Sequence, residues 1–147
     1  MLRVTKLTDY ATVVLTALAE RPDRVHSAAE LAERAKLELP TVSKVLKPLA
    51  HAGLVESFRG ANGGYKLARS PQLINLYDVV EAIEGRLGMT ECSGEHSQCE
   101  HEPHCGVQTH WRRINDVIAD ALRAISLAEM LPAATSRKSI PLHLARA

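Results

Sequence analysis

The sequence predicts a mainly α-helical fold carrying one small β-hairpin. Three observations lead there. Of 147 residues, 46% are apolar but only five are aromatic, so the core must be built from Leu, Val, Ile and Ala, a composition that suits helices. Apolar residues recur at spacings of three and four between recognisable helix caps. One stretch breaks that rhythm, where two short strand-like runs flank the glycine-rich RGANGG at 59 to 64. The length fits one compact domain with an additional helix and leaves no room for a second large one.

Thr8 is the predicted N-cap of a first helix with Tyr10, Val13, Val14, Ala17 and Leu18 on its buried face, ended by RPDR at 21 to 24. Ser27-Ala28-Ala29-Glu30 matches a capping box, so a short second helix follows with Leu31 and Ala35 inward. After a turn through Lys36 to Leu39, Pro40 suits the first turn of a third helix that buries Val42, Val45, Leu46 and Leu49 and stops at Gly53, with Pro48 inside it. Leu54 to Phe58 and Tyr65 to Ala68 then read as two strands around the tight-turn signal Asn62-Gly63. Asn75 caps a fourth helix containing Val79, Val80 and Ile83, which Gly85 ends. Trp111, Ile114, Ile118, Ala121, Ile125 and Ala128 form a stripe on a long final helix that runs to Leu131 before Pro132. The small domain has nothing left to cover that stripe, so it is expected to pack on a second copy of the chain. Residues 132–147, with two prolines and basic charge, are expected to be a disordered tail.

Two helices, a turn and a hairpin make a winged helix-turn-helix, in which the second helix of the pair enters the DNA major groove. The expected organisation is a DNA-binding domain over 1–70, a connecting helix over 71–90, a Cys/His loop over 91–108 and a dimerisation helix over 109–131. Thr41, Ser43, Lys44 and Lys47 lie between the apolar anchors of the third helix and carry hydroxyls and amines suited to bases or phosphates. In the wing, Arg59 and Lys66 flank Asn62 and the glycines, so cations arrive where the backbone can approach DNA closely. Charge follows the same division: residues 1–69 hold 11 Lys/Arg against 7 Asp/Glu, residues 70–110 hold 1 against 7, and residues 111–147 hold 6 against 3. The net +1 hides a polarised chain. The glycine-rich turn matches neither nucleotide-phosphate fingerprint, and no nucleophile and base constellation stands out, so the chain is not read as an enzyme and no small-molecule substrate is expected.

Residues 90–110 read TECSGEHSQCEHEPHCGVQTH and contain all three cysteines, with four histidines among them. No apolar run is long enough to span a bilayer and the N-terminus lacks a signal-like stretch, so the expected compartment is the cytoplasm, where thiols stay reduced. An odd number of thiols in that setting points to metal or redox chemistry ahead of a disulfide framework. Cys92-x6-Cys99-x5-Cys105 supplies three soft donors of the kind iron-sulfur clusters use. The absence of a CxxC pair counts against zinc, while a Cys3His site remains open.

With these residues in place, the sequence resembles the winged-helix iron-sulfur regulators of the IscR, NsrR and RirA group, the Rrf-two family, and within it the regulators of the SUF iron-sulfur assembly system. The resemblance rests on LTDYA at 7 to 11, GLVESFRGANGGYKLAR at 53 to 69, the three cysteines, and the helix from Trp111 through ISLAEML at 125 to 131. It implies a homodimeric, DNA-binding repressor of iron-sulfur assembly genes that binds double-stranded promoter DNA, with no membrane partner. A nitric-oxide or iron-responsive repressor of the same family, or a zinc-stabilised DNA-binding protein without cluster sensing, are the alternatives. It also implies that Cys92, Cys99 and Cys105 ligate an iron-sulfur cluster, 2Fe-2S ahead of 4Fe-4S. For the fourth ligand, some members use a His three residues after the last cysteine, where this chain has Gln108, and others an Asp near the N-terminus, which Asp9 matches. The resulting order is Asp9 from the partner subunit, then His104 or His110, then Gln108.

Overall fold

A computed structural model describes residues 3–91, 93, 99–100 and 102–132. Cys92, His96 and His101, like the expected tail beyond Pro132, lie outside the described residues. The order of elements is α1 (Lys6–Ala19), α2 (Ala28–Ala35), α3 (Leu39–His51), β1 (Val55–Phe58), β2 (Gly64–Leu67), α4 (Leu76–Glu84), α5 (Gln108–Arg123) and α6 (Leu127–Met130). The expected class, mainly α with a hairpin wing on a winged helix-turn-helix, is what the chain adopts.

α1 is the hub, packed by α2, α3, α4 and α6. It therefore buries more than the single face its spacing suggests: Ala11, Val14, Leu15, Ala17, Leu18 and Ala19 are all inside, while Tyr10 and Val13 are only half-buried. Its cap is also earlier than expected. Thr5, not Thr8, has extended backbone and accepts the Thr8 amide, because the Thr8 hydroxyl is engaged with Glu84 across the fold. On α3, Val42, Val45, Leu46 and Leu49 are each fully buried as expected, with Pro48 inside the helix and Gly53 beyond its end at φ 70°. A large-to-small change at these leucines removes about 3–5 kcal/mol in comparable cores. The turn into α3 is tight because Lys36, at φ 53°, is in the left-handed region, a conformation that usually falls to glycine.

Two further expectations are corrected. Ser27 accepts the Glu30 amide, but the reciprocal half of the capping box gives way to Glu30 pairing with Arg24 at 2.8 Å. The final helix does not run unbroken to Leu131. It stops at Arg123, and the chain turns back through Ile125. Ser126 then starts α6 with a full capping box closed by Glu129. Leu76 N–H donates to Ile125 O at 2.9 Å and Leu127 N–H to Ile74 O at 2.7 Å, so the returning segment is sewn to the start of α4 and Leu127 enters the core. Ile125 and Ala128 thus leave the seam predicted for α5.

Candidate nucleic-acid interface and cysteine loop

The wing is an antiparallel pair with Val55 opposite Leu67, Glu56 opposite Lys66, Ser57 opposite Tyr65 and Phe58 opposite Gly64. Its loop is not the two-residue Asn-Gly turn that the sequence suggests. Gly63 N–H donates to Gly60 O at 3.0 Å, and the positive φ angles fall on Gly60 (98°) and Gly64 (153°), which leaves Asn62 at the tip in an ordinary conformation. The backbone folds closely over itself there, an approach only glycine permits, since a Cβ at Gly63 would stand 2.4 Å from Phe58 O.

The wing is tied to the helical pair by one residue. His26 N–H donates to Tyr65 O at 2.8 Å and Tyr65 N–H to His26 O at 2.7 Å, a single-residue third strand just before the α2 cap. The His26 side chain is wholly buried. Its Nδ1 lies 3.4 Å from Glu30 Oε1 without hydrogen-bond geometry. Burial pushes the Glu30 carboxyl up, but Arg24, His26 and the Ser27 amide together hold it below the usual range. The wing root and the start of α2 therefore move as one piece.

On α3, Ser43, Lys44 and Lys47 are exposed and Thr41 is half-buried. In the wing, Arg59 and Asn62 are exposed at the tip. Lys66 is placed differently: its Nζ lies 4.0 Å from Glu56 Oε2 and 5.5 Å from the Phe58 ring centroid, so its charge is partly answered within the hairpin. That pairing follows from strand register, which the sequence alone does not state. α3 and the wing tip together offer hydroxyls and cations, which suits attraction to phosphates.

Asp9 is exposed in the first turn of α1. Just before it, the Glu84 carboxylate at the end of α4 accepts the Thr8 hydroxyl and, at 2.8 Å, the Thr5 amide through the same oxygen. The Thr8 hydroxyl first, then the Thr5 amide, holds the Glu84 carboxyl below its ordinary value. Sequence reasoning missed this clamp, since its partners are 76 residues apart. Thr8→Val, which keeps the shape and removes the donor, is expected to lower stability by about 1 kcal/mol at neutral pH, the worth of a partly solvated hydrogen bond. Because the folded carboxyl is depressed, this contribution is complete above the unfolded value of about 4.3 and is lost as pH falls through the folded one. Urea titrations at pH 7 and pH 3.5 check it, and an equal difference at both would remove Glu84 from the account.

Cys99 and Cys105 are half-buried, His104 is exposed in the short 3-10 turn Glu102–His104, and His110 is exposed and Gln108 half-buried in the first turn of α5. Among the described residues no three His, Cys, Asp or Glu side chains converge on one point. The two described thiols are near the surface of a polar loop instead of packed as small hydrophobes in the core, and with Cys92 they make a soft donor set whose chemistry fits a thiolate-held cluster. No helix among the described residues is long and apolar enough to cross a membrane.

Comparison with known proteins agrees with this architecture. Residues 4–133 match the Rrf2 family, described as iron-dependent transcriptional regulators. The chain is 29% identical over 132 residues to the transcriptional regulator NsrR of Bacillus licheniformis, covering 88% of this chain and 92% of the relative. Among solved structures it is similar to IscR of T. potens, with TM-score 0.64 and 30% identity over 88% of this chain and 85% of that one. It is also similar to CymR, the global cysteine regulator of B. subtilis, with TM-score 0.68 and 26% identity over 88% and 96%. These relatives are transcriptional regulators, not enzymes. The protein described here belongs to the Rrf2 family of transcriptional regulators.

Proposed function

We propose that this chain is an iron-sulfur-sensing repressor of SUF-type cluster assembly genes that acts in the cytoplasm as a homodimer on promoter DNA. The observation that carries the reading is the thiol set Cys92, Cys99 and Cys105 in the one loop that joins the DNA-binding module to α5. Cys92, Cys99 and Cys105 hold the cluster, with Asp9 of the partner as first choice for the fourth ligand and His104 or His110 behind it. A bound iron-sulfur cluster supplies thiolate-ligated iron that responds to iron supply, oxidation or nitric oxide.

This chain's own residues do the rest. Asp9 is exposed, as a residue offered to another subunit has to be, and is next to the Thr8 that Glu84 grips. Glu84 in turn ends the helix leading into the cysteine loop. A shift of that loop is therefore passed to the first turn of α1, the helix on which α2 and α3 pack. Lys44, Lys47 and Arg59 supply the salt-dependent attraction to phosphates, Thr41 and Ser43 face base edges, and Asn62 and Lys66 complete the wing contact. Two such modules in a dimer read half-sites about one DNA turn apart.

The test is a DNA titration on SUF-operon promoter DNA with anaerobically purified protein, metal-free protein and Cys92→Ala, after an absorbance spectrum. The expected result is visible sulfide-to-iron charge-transfer colour and an affinity that changes about tenfold or more on cluster removal, a coupling of about 1.4 kcal/mol. A colourless, zinc-containing protein with the same affinity in all three forms would reduce the loop to a structural clip.

A further inference from the structure

Leu39, the first residue of α3, is 45% exposed at the tip of the helix that carries Ser43, Lys44 and Lys47. A single exposed leucine needs no explanation by itself, but three features set this one apart. The adjoining apolar position, Leu37, already packs on the core, and Val42 is fully buried, so the N-terminus of α3 is anchored without Leu39. Pro40 follows it, exposed and at the second helical position, where its fixed φ holds the tip in one conformation. Leu39, Ser43 and Lys47 are exposed and spaced by four, a row that starts at the edge of the buried stripe Val42, Val45, Leu46 and Leu49 and leads away from it. Along that row the chemistry runs from an aliphatic group at the tip, through a hydroxyl, to an ammonium.

In the helix-turn-helix geometry the N-terminal residues of the second helix lie deepest in the major groove, while residues further along approach the backbone. A lysine that far along α3 suits a phosphate and a serine suits a base edge. An aliphatic side chain at the deepest point has one attractive target among the groove-facing groups of the four bases, the 5-methyl of thymine. We propose that Leu39 is a specificity-determining residue that reads a thymine methyl in each half-site. The inference rests on α3 being the recognition helix and is independent of how the cysteine loop is used.

The experiment begins by selecting duplex DNA from a random pool with the full-length protein, so that no operator has to be assumed. Each thymine of the selected site is then replaced by deoxyuridine, which removes only the methyl, and binding is measured by fluorescence anisotropy for the wild type and for Leu39→Ala. The expected result is one thymine per half-site at which methyl removal weakens wild-type binding about fourfold, the equivalent of exposing one buried methyl group. At that position Leu39→Ala binds the two DNAs equally, while its salt dependence and melting temperature match the wild type. If deoxyuridine is neutral at every position, or if Leu39→Ala keeps the same sensitivity, the proposal falls while the DNA-binding reading stands. If the wild type enriches no sequence at all, both fall together.

Discussion

Replacing Gly64 with alanine is expected to destabilise the protein by roughly 3 kcal/mol or more and to weaken DNA binding beyond that loss of stability. Two penalties meet at this position. Its φ of 153° is a region open to glycine and costly for any residue with a Cβ. A Cβ built there would also stand 2.3 Å from His26 O and 2.7 Å from the His26 carbonyl carbon. Both are backbone atoms, and the same His26 backbone holds the reciprocal pair of hydrogen bonds to Tyr65. The strain is relieved only by parting the wing from the start of α2, which costs about 1 kcal/mol for each hydrogen bond lost and frees Arg59 and Asn62 from a fixed position relative to α3. Gly53→Ala is the control: its φ of 70° also favours glycine, but nothing lies within 4 Å of the added atom, so about 1 kcal/mol is expected. Urea unfolding of both variants, with DNA titration of the folded proteins, decides the matter. Equal losses would show that strain alone matters and that the contact with His26 does not hold the wing.

The helix-turn-helix was legible because local signals and tertiary packing agree there. The four apolar positions of α3 and the caps at Ser27 and Asn75 all stand where spacing and residue type place them. Misreadings cluster where a distant partner decides. Thr8 has the residue type of a cap, yet it is needed by Glu84, so Thr5 caps instead. Asn62-Gly63 has the signature of a two-residue turn, yet close backbone packing at Gly63 and Gly64 sets a longer loop. The break after α5 is different, because its signal was in plain sight: Ser126-Leu127-Ala128-Glu129 is a capping box, and the continuing three-and-four stripe concealed it. For the candidate site, the residue types were legible and the pairings were not. The partial neutralisation of Lys66 depends on the register that sets Glu56 opposite it.

The second large effect is expected on α5. Ile114→Glu should convert the proposed homodimer to monomers and lower DNA affinity by on the order of 100-fold or more, through loss of the second half-site as an intramolecular event. The inner face of α5 is satisfied within the chain: Asn115 Oδ1 accepts the Met89 amide at 3.3 Å, Ala119 is buried, and the Arg123 guanidinium lies 4.1 Å from the Tyr77 ring centroid on α4. Among the described residues nothing covers the outer face. Trp111, Ile114 and Val117 are 37%, 43% and 58% exposed within two turns, and Val107 extends the patch just before the helix. Apolar surface of this kind on a helix whose other face is already packed suits an interaction site, and the proposed homodimer would cover it. A two-fold arrangement brings the same patch from each subunit together, so a single Ile114→Glu change introduces two like charges into one apolar seam, where each is unpaired and poorly solvated. Ile114→Ala, which adds no charge, is expected to weaken association by less. Sedimentation at several protein concentrations separates the species, and far-UV circular dichroism should be unchanged because the substituted side chain faces outward. An Ile114→Glu protein that sediments as a dimer and keeps wild-type affinity would show that the dimer, and the spacing of its two recognition helices, is built on another face.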